Sequence, residues 1–191
     1  MHRLLLIRHC ESAGQQPEAA LTETGVRQAE ALAGFLSRFA IDRVAASPYR
    51  RARESIAPFA TAAGLPVHAD DRLVEQRLAA GPVEHWREAV RTSCGDPDFR
   101  LPGGESAGEV LDRGWPALEG LLEGGHRLPV AVTHGKFLSV VLNAVGRDFG
   151  YAQWQSLSNP DVFALRDDGG GGLTYERVWP GGQAERRAGA S

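Results

Sequence analysis

Histidine and arginine side chains stand at the ends of three short apolar segments of the chain. The first segment ends in Arg8-His9, the last is followed by His134, and the middle one leads into an arginine-rich stretch at residues 50–53. An imidazole nitrogen is a good nucleophile at neutral pH, and planar guanidinium groups donate paired hydrogen bonds to phosphate oxygens. A charged group at the end of an apolar segment is costly unless it has a partner, so these residues predict a pocket for a small anion such as phosphate.

The elements that must position these residues alternate between short apolar strands and amphipathic helices. Strands are predicted over Arg3–Arg8, Arg43–Ser47, Val67–Ala69 and Leu128–Thr133, and a terminal antiparallel hairpin over Val162–Arg166 and Leu173–Trp179. Helices are predicted from the N-cap Thr22 to Phe39, from Pro48 to Ala63, over Pro82–Arg91, over Ser106–Leu122 and over Gly135–Val145. Pro116 lies inside the fourth helix, which predicts a kink or a break near Gly114.

This alternation predicts a three-layer α/β/α sandwich with a mostly parallel central sheet. The carboxyl ends of parallel strands meet at one edge of a sheet, and ligands of such folds bind beyond that edge. We therefore expect the histidines and arginines that follow the three segments to lie close together.

Length and composition limit the class of protein. A chain of 191 residues, 24% charged and 42% hydrophobic, is typical of one globular domain, which we place at residues 1–180 with a flexible tail at 181–191. The net charge of -3 argues against a nucleic-acid partner. The apolar runs are too short for a signal peptide or a membrane span, and two cysteines make no disulfide framework. We expect a cytoplasmic protein with no membrane partner, and the sequence specifies no oligomeric state.

Six motifs carry a more specific indication. Arg8-His9-Cys10-Glu11-Ser12 resembles an Arg-His-Gly-Glu-Ser/Thr signature, and Val132-Thr133-His134-Gly135 resembles a Val-Ser-His-Gly element. The other four are Leu21-Thr22-x-x-Gly25-x-x-Gln28-Ala29, Ala46-Ser47-Pro48-Tyr49-Arg50-Arg51-Ala52, Arg72-Leu73-Val74-Glu75 and Gly104-Glu105-Ser106. In this order they resemble the motifs of the histidine phosphatase superfamily, which includes the cofactor-dependent phosphoglycerate mutases. The resemblance implies a phosphoglycerate mutase-like fold.

The resemblance also implies roles for particular residues. His9 would be the nucleophile that accepts the phosphoryl group, Arg8, Arg51 and His134 would hold its oxygens, and Glu75 would be the proton donor. Planar arginine forks stabilise the charge of a transferring phosphoryl group, and a carboxyl group can protonate the leaving alkoxide. The chemistry requires no metal or cofactor, and the sequence shows no metal-spaced cluster of His, Cys or carboxylate residues.

Two of these assignments involve a choice among neighbours. Three arginines lie together at residues 50–53, and Arg51 is selected because the arginine of the family directly precedes alanine; the other two are expected on a solvated helix face. Glu75 competes with Asp70, Asp71 and Glu84, and its position after Arg72-Leu73 favours it.

Other positions leave alternatives open. Ser12 and Gln15 either donate to phosphate from the loop after the first strand or only form a turn. Lys136, the single lysine, either contacts the outer part of the substrate or caps the helix region. Cys10 stands where the family usually has glycine, and it is either a reactive thiol beside Arg8 and His9 or a small side chain at a strand end.

The short span between two motifs bears on the reaction. In the family that this sequence resembles, the mutases are longer chains with a larger insertion between the two elements that correspond to those of Glu75 and Glu105. In this sequence the two glutamates stand only 30 positions apart. This favours a metal-independent phosphomonoesterase for a small phosphate ester over a 2,3-bisphosphoglycerate-dependent mutase. A third reading is a non-enzymatic protein that binds a phosphorylated ligand. The segment 77–103 is expected to form a specificity wall, with Trp86, Phe99 and Arg100 as candidates.

Overall fold

The computed structural model describes residues 3–170 and 172–180; the predicted tail at 181–191 lies outside the described residues. The strands are β1 (Arg3–Arg8), β2 (Arg43–Ala46), β3 (Val67–Ala69), β4 (Pro129–Thr133), β5 (Asp161–Asp167) and β6 (Leu173–Arg177). The helices are α1 (Glu23–Leu36), α2 (Arg50–Ala63), α3 (Trp86–Gly95), α4 (Ala107–Glu123), α5 (Gly135–Gly146) and α6 (Tyr151–Gln155), with a short 3₁₀ helix at Asp71–Leu73.

Within the described residues, the six strands form one mixed sheet in the order β3-β2-β4-β1-β5-β6. The four strands from β3 to β1 run parallel, whereas β5 runs antiparallel to both β1 and β6. The predicted mostly parallel sheet and the predicted terminal hairpin are therefore confirmed. The hairpin continues the sheet beyond β1, so β1 lies inside the sheet with a partner on each side.

Helices cover both faces of this sheet because the side chains of each strand alternate between two cores. Leu4 and Leu6 of β1 pack with residues of α4 and α5, whereas Leu5 and Ile7 pack with residues of α1 and α2. All four side chains are fully buried. A strand that is buried on both faces has a continuous run of apolar residues in its sequence, and β1 has such a run. The predicted three-layer α/β/α sandwich is confirmed.

The strand order places three polar turns beside one another. The neighbours β2, β4 and β1 are parallel, and they are followed by Ser47, His134 and His9 respectively. Parallel strands end at the same edge, so these residues meet there. The loop after β1 is anchored at its far end by α1, whose N-cap Thr22 accepts from the Gly25 N–H. Gly25 lies so close to the Glu11 carbonyl oxygen that a Cβ there would clash with it.

The helices differ from the sequence predictions in three details. Helix α4 runs unbroken through Pro116, since the packing of its apolar residues against the sheet outweighs the loss of one backbone hydrogen bond. Helix α3 begins at Trp86 rather than Pro82, because the preceding chain bonds to the loop before α4: the Ala80 N–H donates to the Pro102 carbonyl. The five-residue helix α6 was not predicted. No helix of the described residues has the length and hydropathy to cross a bilayer.

Candidate active site

A cavity of about 900 Å³ opens at the carboxyl edge of β1, and we call it the strand-end cavity. Its lining includes Arg8, His9, Arg51, Glu75 and Lys136, which come from four separate parts of the chain. About 300–1,000 Å³ is the usual volume of a site for a small molecule. The structure thus collects most of the chemically capable residues of the sequence around one opening.

The hydrogen bonds of His9 define which of its ring nitrogens carries the proton. Its Nδ1 lies 2.6 Å from the Cys10 carbonyl oxygen, which can only accept, so Nδ1 is the donor. Its Nε2 accepts from the Arg51 Nε–H at 3.2 Å. Burial of the ring, with smaller contributions from Arg51 and Arg8, lowers the pKa of His9 to about 3. At neutral pH His9 is therefore an uncharged imidazole with a lone pair on Nε2.

The neutral state of His9 predicts an acid dependence of stability. The ordinary histidine pKa of 6.5 falls to about 3 in the folded protein, so between these values only the unfolded chain takes up the proton. The free energy of unfolding is expected to fall as pH drops below 6.5, by at most about 1.4 kcal/mol per pH unit for this residue. Urea unfolding of the ligand-free protein between about pH 7 and pH 5 measures the slope.

A matched pair of variants isolates this contribution. His9→Gln should show a shallower fall of stability with acid, whereas His126→Gln, at a partly exposed histidine before β4, should keep the slope of the wild-type protein. The slope should not vanish in His9→Gln, because burial also lowers the pKa of His134 well below its ordinary value. An unchanged slope in His9→Gln would show that His9 is not held neutral by the fold.

Arg51 is a buried cation at the start of α2, with 1% of its surface exposed. Its Nη1 donates to the carbonyl oxygens of Gln15 and Gln16, both at 3.0 Å, and its guanidinium lies 5.0 Å from the centre of the Tyr49 ring. Burial lowers the pKa of Arg51 from its ordinary value. The adjacent arginines at 50 and 53 are exposed. Arg51 alone of the three lines the strand-end cavity.

Arg8 also lines the strand-end cavity, and one of its donors has no partner. Its Nη1 donates to the carbonyl oxygens of Leu157 at 3.0 Å and Ser158 at 3.3 Å, whereas its buried Nε has no partner. Gly135 leaves room for this side chain, since a Cβ there would lie 3.2 Å from Nε. Burial lowers the pKa of Arg8, and the nearby Glu75 carboxylate opposes that shift. A buried donor without a partner is costly, and an anionic ligand would satisfy it.

His134 is fully buried between β4 and α5. Its Nε2 lies 2.8 Å from the Ser47 hydroxyl, its Nδ1 is buried without a partner, and its ring centre is 5.1 Å from that of His9. The ring makes no capping bond to α5, although His134 occupies the N-cap position. His134 therefore lies directly behind the site, beside His9, and it is not among the residues that line the strand-end cavity.

Glu75 reaches the same site from the loop after the 3₁₀ helix. Its Oε1 accepts from the N–H groups of Gln76 and Phe137, both at 2.9 Å, and its Oε2 accepts from the Lys136 N–H at 3.2 Å. The carboxylate thus sits at the N-terminus of α5, where negative charge is favoured. Of the competing carboxylates, Asp70 pairs with Arg72, and Asp71 and Glu84 are exposed. None of the three lines the strand-end cavity.

The position of Glu75 depends on Arg113, which sequence reasoning missed. The Arg113 guanidinium donates to the Arg72 carbonyl at 2.8 Å and to the Glu75 carbonyl at 3.3 Å. It also forms an ion pair with Glu105 at 2.8 Å, so the Gly-Glu-Ser motif acts through this arginine on the glutamate loop. No spacing in the sequence indicates this link, because Arg113 lies on α4 outside every motif.

The residues with open alternatives have distinct environments. The Ser12 hydroxyl donates to the Gly14 carbonyl at 3.0 Å, as a turn residue does, and Gln15 supplies a carbonyl to Arg51. Both still line the strand-end cavity. Lys136 is 4% exposed, and its Nζ donates to the Cys94 sulfur at 3.3 Å, so its side chain does not cap the helix.

Cys10 does not have the environment of a reactive thiol. It is fully buried, and burial raises the pKa of the thiol to about 11, so the sulfur stays protonated at neutral pH. Its N–H donates to the Ser55 hydroxyl at 2.8 Å. A second missed residue, Asn159, donates from Nδ2 to the His9 carbonyl at 2.7 Å and lines the strand-end cavity. Only the Asn-Pro dipeptide at this position marks it in the sequence.

The predicted specificity wall is only partly correct. Trp86 lines the strand-end cavity, but Phe99 and Arg100 do not. Arg100 is exposed and pairs with Glu109 at 2.6 Å, which holds it on the outer side of α4.

Comparison with protein families gives a match over nearly the whole described chain. The model of the histidine phosphatase superfamily, branch 1, matches residues 4–174. A probable phosphoglycerate mutase GpmB of Serratia proteamaculans is 32% identical over 165 residues, which cover 76% of this chain and 75% of that protein. The corresponding protein of Erwinia tasmaniensis is 31% identical over 163 residues, with the same coverage.

Solved structures are similar over almost the full length. A mycobacterial glucosyl-3-phosphoglycerate phosphatase in complex with inorganic phosphate is 25% identical, with a TM-score of 0.75 over 94% of this chain and 97% of that one. The α-ribazole phosphatase of Shigella flexneri, 23% identical, has a TM-score of 0.70 over 92% of this chain and 95% of its own. The latter likeness bears on the fold alone.

Proposed function

The chain belongs to branch 1 of the histidine phosphatase superfamily, and on that premise we propose that it hydrolyses a small phosphate ester through a phosphohistidine at His9. The observation that carries this proposal is the state of His9: an uncharged ring whose Nε2 lone pair faces a guanidinium N–H at 3.2 Å, in a cavity open to a ligand. A nucleophile already stripped of its proton needs no base to activate it.

In the first step, His9 Nε2 attacks phosphorus, an N–P bond forms and the ester P–O bond breaks. Glu75 acts as the general acid in this step: it gives a proton to the departing alkoxide and is left as the carboxylate. In the second step, water attacks the phosphohistidine, Glu75 takes a proton from that water, and inorganic phosphate leaves with His9 restored. The three backbone N–H groups that Glu75 faces support the carboxylate formed between the steps.

The cations of the site stabilise the transferring group. Arg8 and Arg51 line the cavity together with His9, and the unpartnered Arg8 Nε is a donor that a phosphoryl group would satisfy. The buried His134 Nδ1 also has no partner, and it would donate in the tautomer that carries its proton there. Phosphoryl transfer depends mainly on positioning and charge stabilisation, which buried guanidinium groups supply in a low-dielectric site. We propose that Ser12, Gln15 and Lys136 contact the substrate around this centre.

Hydrolysis rather than mutase transfer is favoured by the scarcity of cations for a second anionic group. Arg113 is committed to Glu105 and to two carbonyl oxygens, and Arg77 donates to the Gly103 carbonyl at 2.7 Å. The short segment between Glu75 and Glu105 also folds back on itself through the bond between Ala80 and Pro102. Little chain remains to enclose a bisphosphate and exclude water.

Product analysis tests this choice. The protein is expected to release inorganic phosphate from primary alkyl phosphates without added 2,3-bisphosphoglycerate. A His9→Gln preparation purified in the same way controls for contaminating phosphatases. Isomerisation of 3-phosphoglycerate that depends on 2,3-bisphosphoglycerate, with little phosphate released, would favour the mutase. Tight phosphate binding without turnover of any ester would favour a ligand-binding protein.

The extent of the domain, the class of substrate and the cellular compartment complete this proposal. We propose that residues 1–180 act as one domain, that the substrate is a small phosphorylated molecule rather than a nucleic acid, and that the protein works in the cytoplasm. The two cysteines, Cys10 and Cys94, are both free, which agrees with a reducing compartment.

A further inference from the structure

The strand-end cavity extends beyond Glu75 to a wall that the proposed chemistry does not use. Every side chain that residues 78–90 contribute to the lining is apolar, and α6 adds one tryptophan. We define the apolar wall by its larger members, Leu78, Pro82, Val83, Trp86, Val90 and Trp154. One cavity therefore joins a strongly polar floor around His9 to an apolar side.

Trp86 is the least expected member of this wall. Its side chain is 43% exposed, and apart from Val26 no other large hydrophobic residue of the described chain is as open to solvent. Isolated exposed apolar residues are ordinary, but an exposed tryptophan that borders a cavity offers a ligand a large apolar surface. Covering it would remove that surface from water and stabilise the complex.

The orientation of this tryptophan is set by the packing of α3 on α6. The rings of Trp86 and Trp154 meet edge to face, with centres 6.2 Å apart and planes at 77°. Trp154 stacks on Tyr151 with ring centres 5.6 Å apart, and the Arg91 guanidinium lies 4.9 Å from the Tyr151 ring centre. An aromatic surface already held in place costs a ligand little ordering entropy.

We propose that the alcohol part of the substrate carries an aromatic ring, which packs against Trp86 and Trp154 while the phosphate lies beside His9. This inference rests on the proposed hydrolysis of a phosphate ester and names the class of ester. The phosphate end and the apolar wall lie in one cavity of about 900 Å³, which a ring joined to the ester by a short linker can span.

The same wall disfavours two other classes of ester. A sugar packed against this wall would find no partners there for its hydroxyl groups, because the lining side chains of residues 78–90 offer neither donors nor acceptors apart from the Trp86 indole N–H. A phosphoglycerate needs a cation for its carboxylate. The wall itself supplies no cation, and the nearby Arg113 already pairs with Glu105.

Esters with matched leaving groups test the proposal. Propyl phosphate, 3-phenylpropyl phosphate and glucose 6-phosphate all release a primary alkoxide, so differences in kcat/KM report on the rest of the molecule. The wild-type protein is expected to prefer 3-phenylpropyl phosphate to propyl phosphate by about tenfold. Trp86→Ala should reduce this preference to about threefold or less, because the apolar surface that the phenyl ring would cover is removed.

Two variants serve as controls for the substitution. Trp86→Phe keeps an aromatic surface and should retain most of the preference, and thermal midpoints of both Trp86 variants report whether they fold. Val26→Ala removes the other exposed apolar side chain, which lies on α1 away from the strand-end cavity, and should leave the preference intact. Equal kcat/KM for the two alkyl esters, a higher value for glucose 6-phosphate, or a preference that survives in Trp86→Ala would overturn the proposal.

Binding measurements separate this inference from the proposed function. Calorimetry with the non-hydrolysable 3-phenylpropylphosphonate and propylphosphonate tests the apolar wall without turnover. If the protein hydrolyses no ester, the proposed function fails. Tighter binding of the phenyl compound that depends on Trp86 would still support the aromatic ligand, and equal affinities would refute it.

Discussion

Replacing His9 with alanine is expected to lower kcat for phosphate esters by at least about a thousandfold, because the covalent route disappears with the nucleophile. The wild-type protein, mixed with a phosphorus-labelled ester and quenched, should carry an acid-labile, base-stable adduct of the kind that a phosphoramidate gives. His9→Ala should carry none. The measurement combines steady-state turnover with label retained on the denatured protein.

A histidine elsewhere in the fold provides the matched control. His126 lies before β4, at the opposite end of that strand from His134, and His126→Ala should keep both turnover and adduct. The free energy of unfolding of His9→Ala should be measured alongside, since His9 is 6% exposed and packs beside His134. Full turnover in a folded His9→Ala protein would exclude the phosphohistidine mechanism.

The part of this site that could be predicted from sequence is the part built on strand ends. Arg8 ends β1, and His9 and His134 directly follow β1 and β4, so the parallel sheet alone brings them together. Arg51 could be chosen over the two neighbouring arginines only through a family resemblance. The sequence pattern of the helix alone did not show which of the three arginines faces inward. Burial then distinguishes them, with Arg51 1% exposed.

The unpredicted part depends on contacts between elements far apart in the chain. Asn159 reaches the His9 carbonyl across a separation of 150 residues, and Arg113 of α4 holds the Glu75 loop across a separation of 38 residues. Trp154 lies on a five-residue helix, too short for a periodic pattern. Phe99 and Arg100 were wrongly assigned to the cavity because their position in the variable segment gives no indication of the direction in which the side chains point.

Replacing Glu75 with glutamine is expected to separate esters by their leaving groups. The leaving group of an alkyl phosphate is a strongly basic alkoxide, so kcat for these esters should fall by about a hundredfold to a thousandfold when the proton donor is lost. The leaving group of nitrophenyl phosphate is a stable phenolate that needs no proton, so kcat for this ester should fall by less than about tenfold. The ratio of the two losses measures proton donation, whereas a general disturbance of the site would lower both rates equally.

The contacts of Glu75 make glutamine a suitable replacement. Its amide oxygen can take the place of Oε1, which accepts from Gln76 and Phe137, and only the 3.2 Å contact with the Lys136 N–H is lost. The small structural change should leave the thermal midpoint close to that of the wild-type protein. Glu84→Gln, at an exposed glutamate of the following segment, should leave both rates unchanged. Equal losses for alkyl and nitrophenyl esters in Glu75→Gln would remove Glu75 from the role of proton donor and leave it a residue that orders the N-terminus of α5.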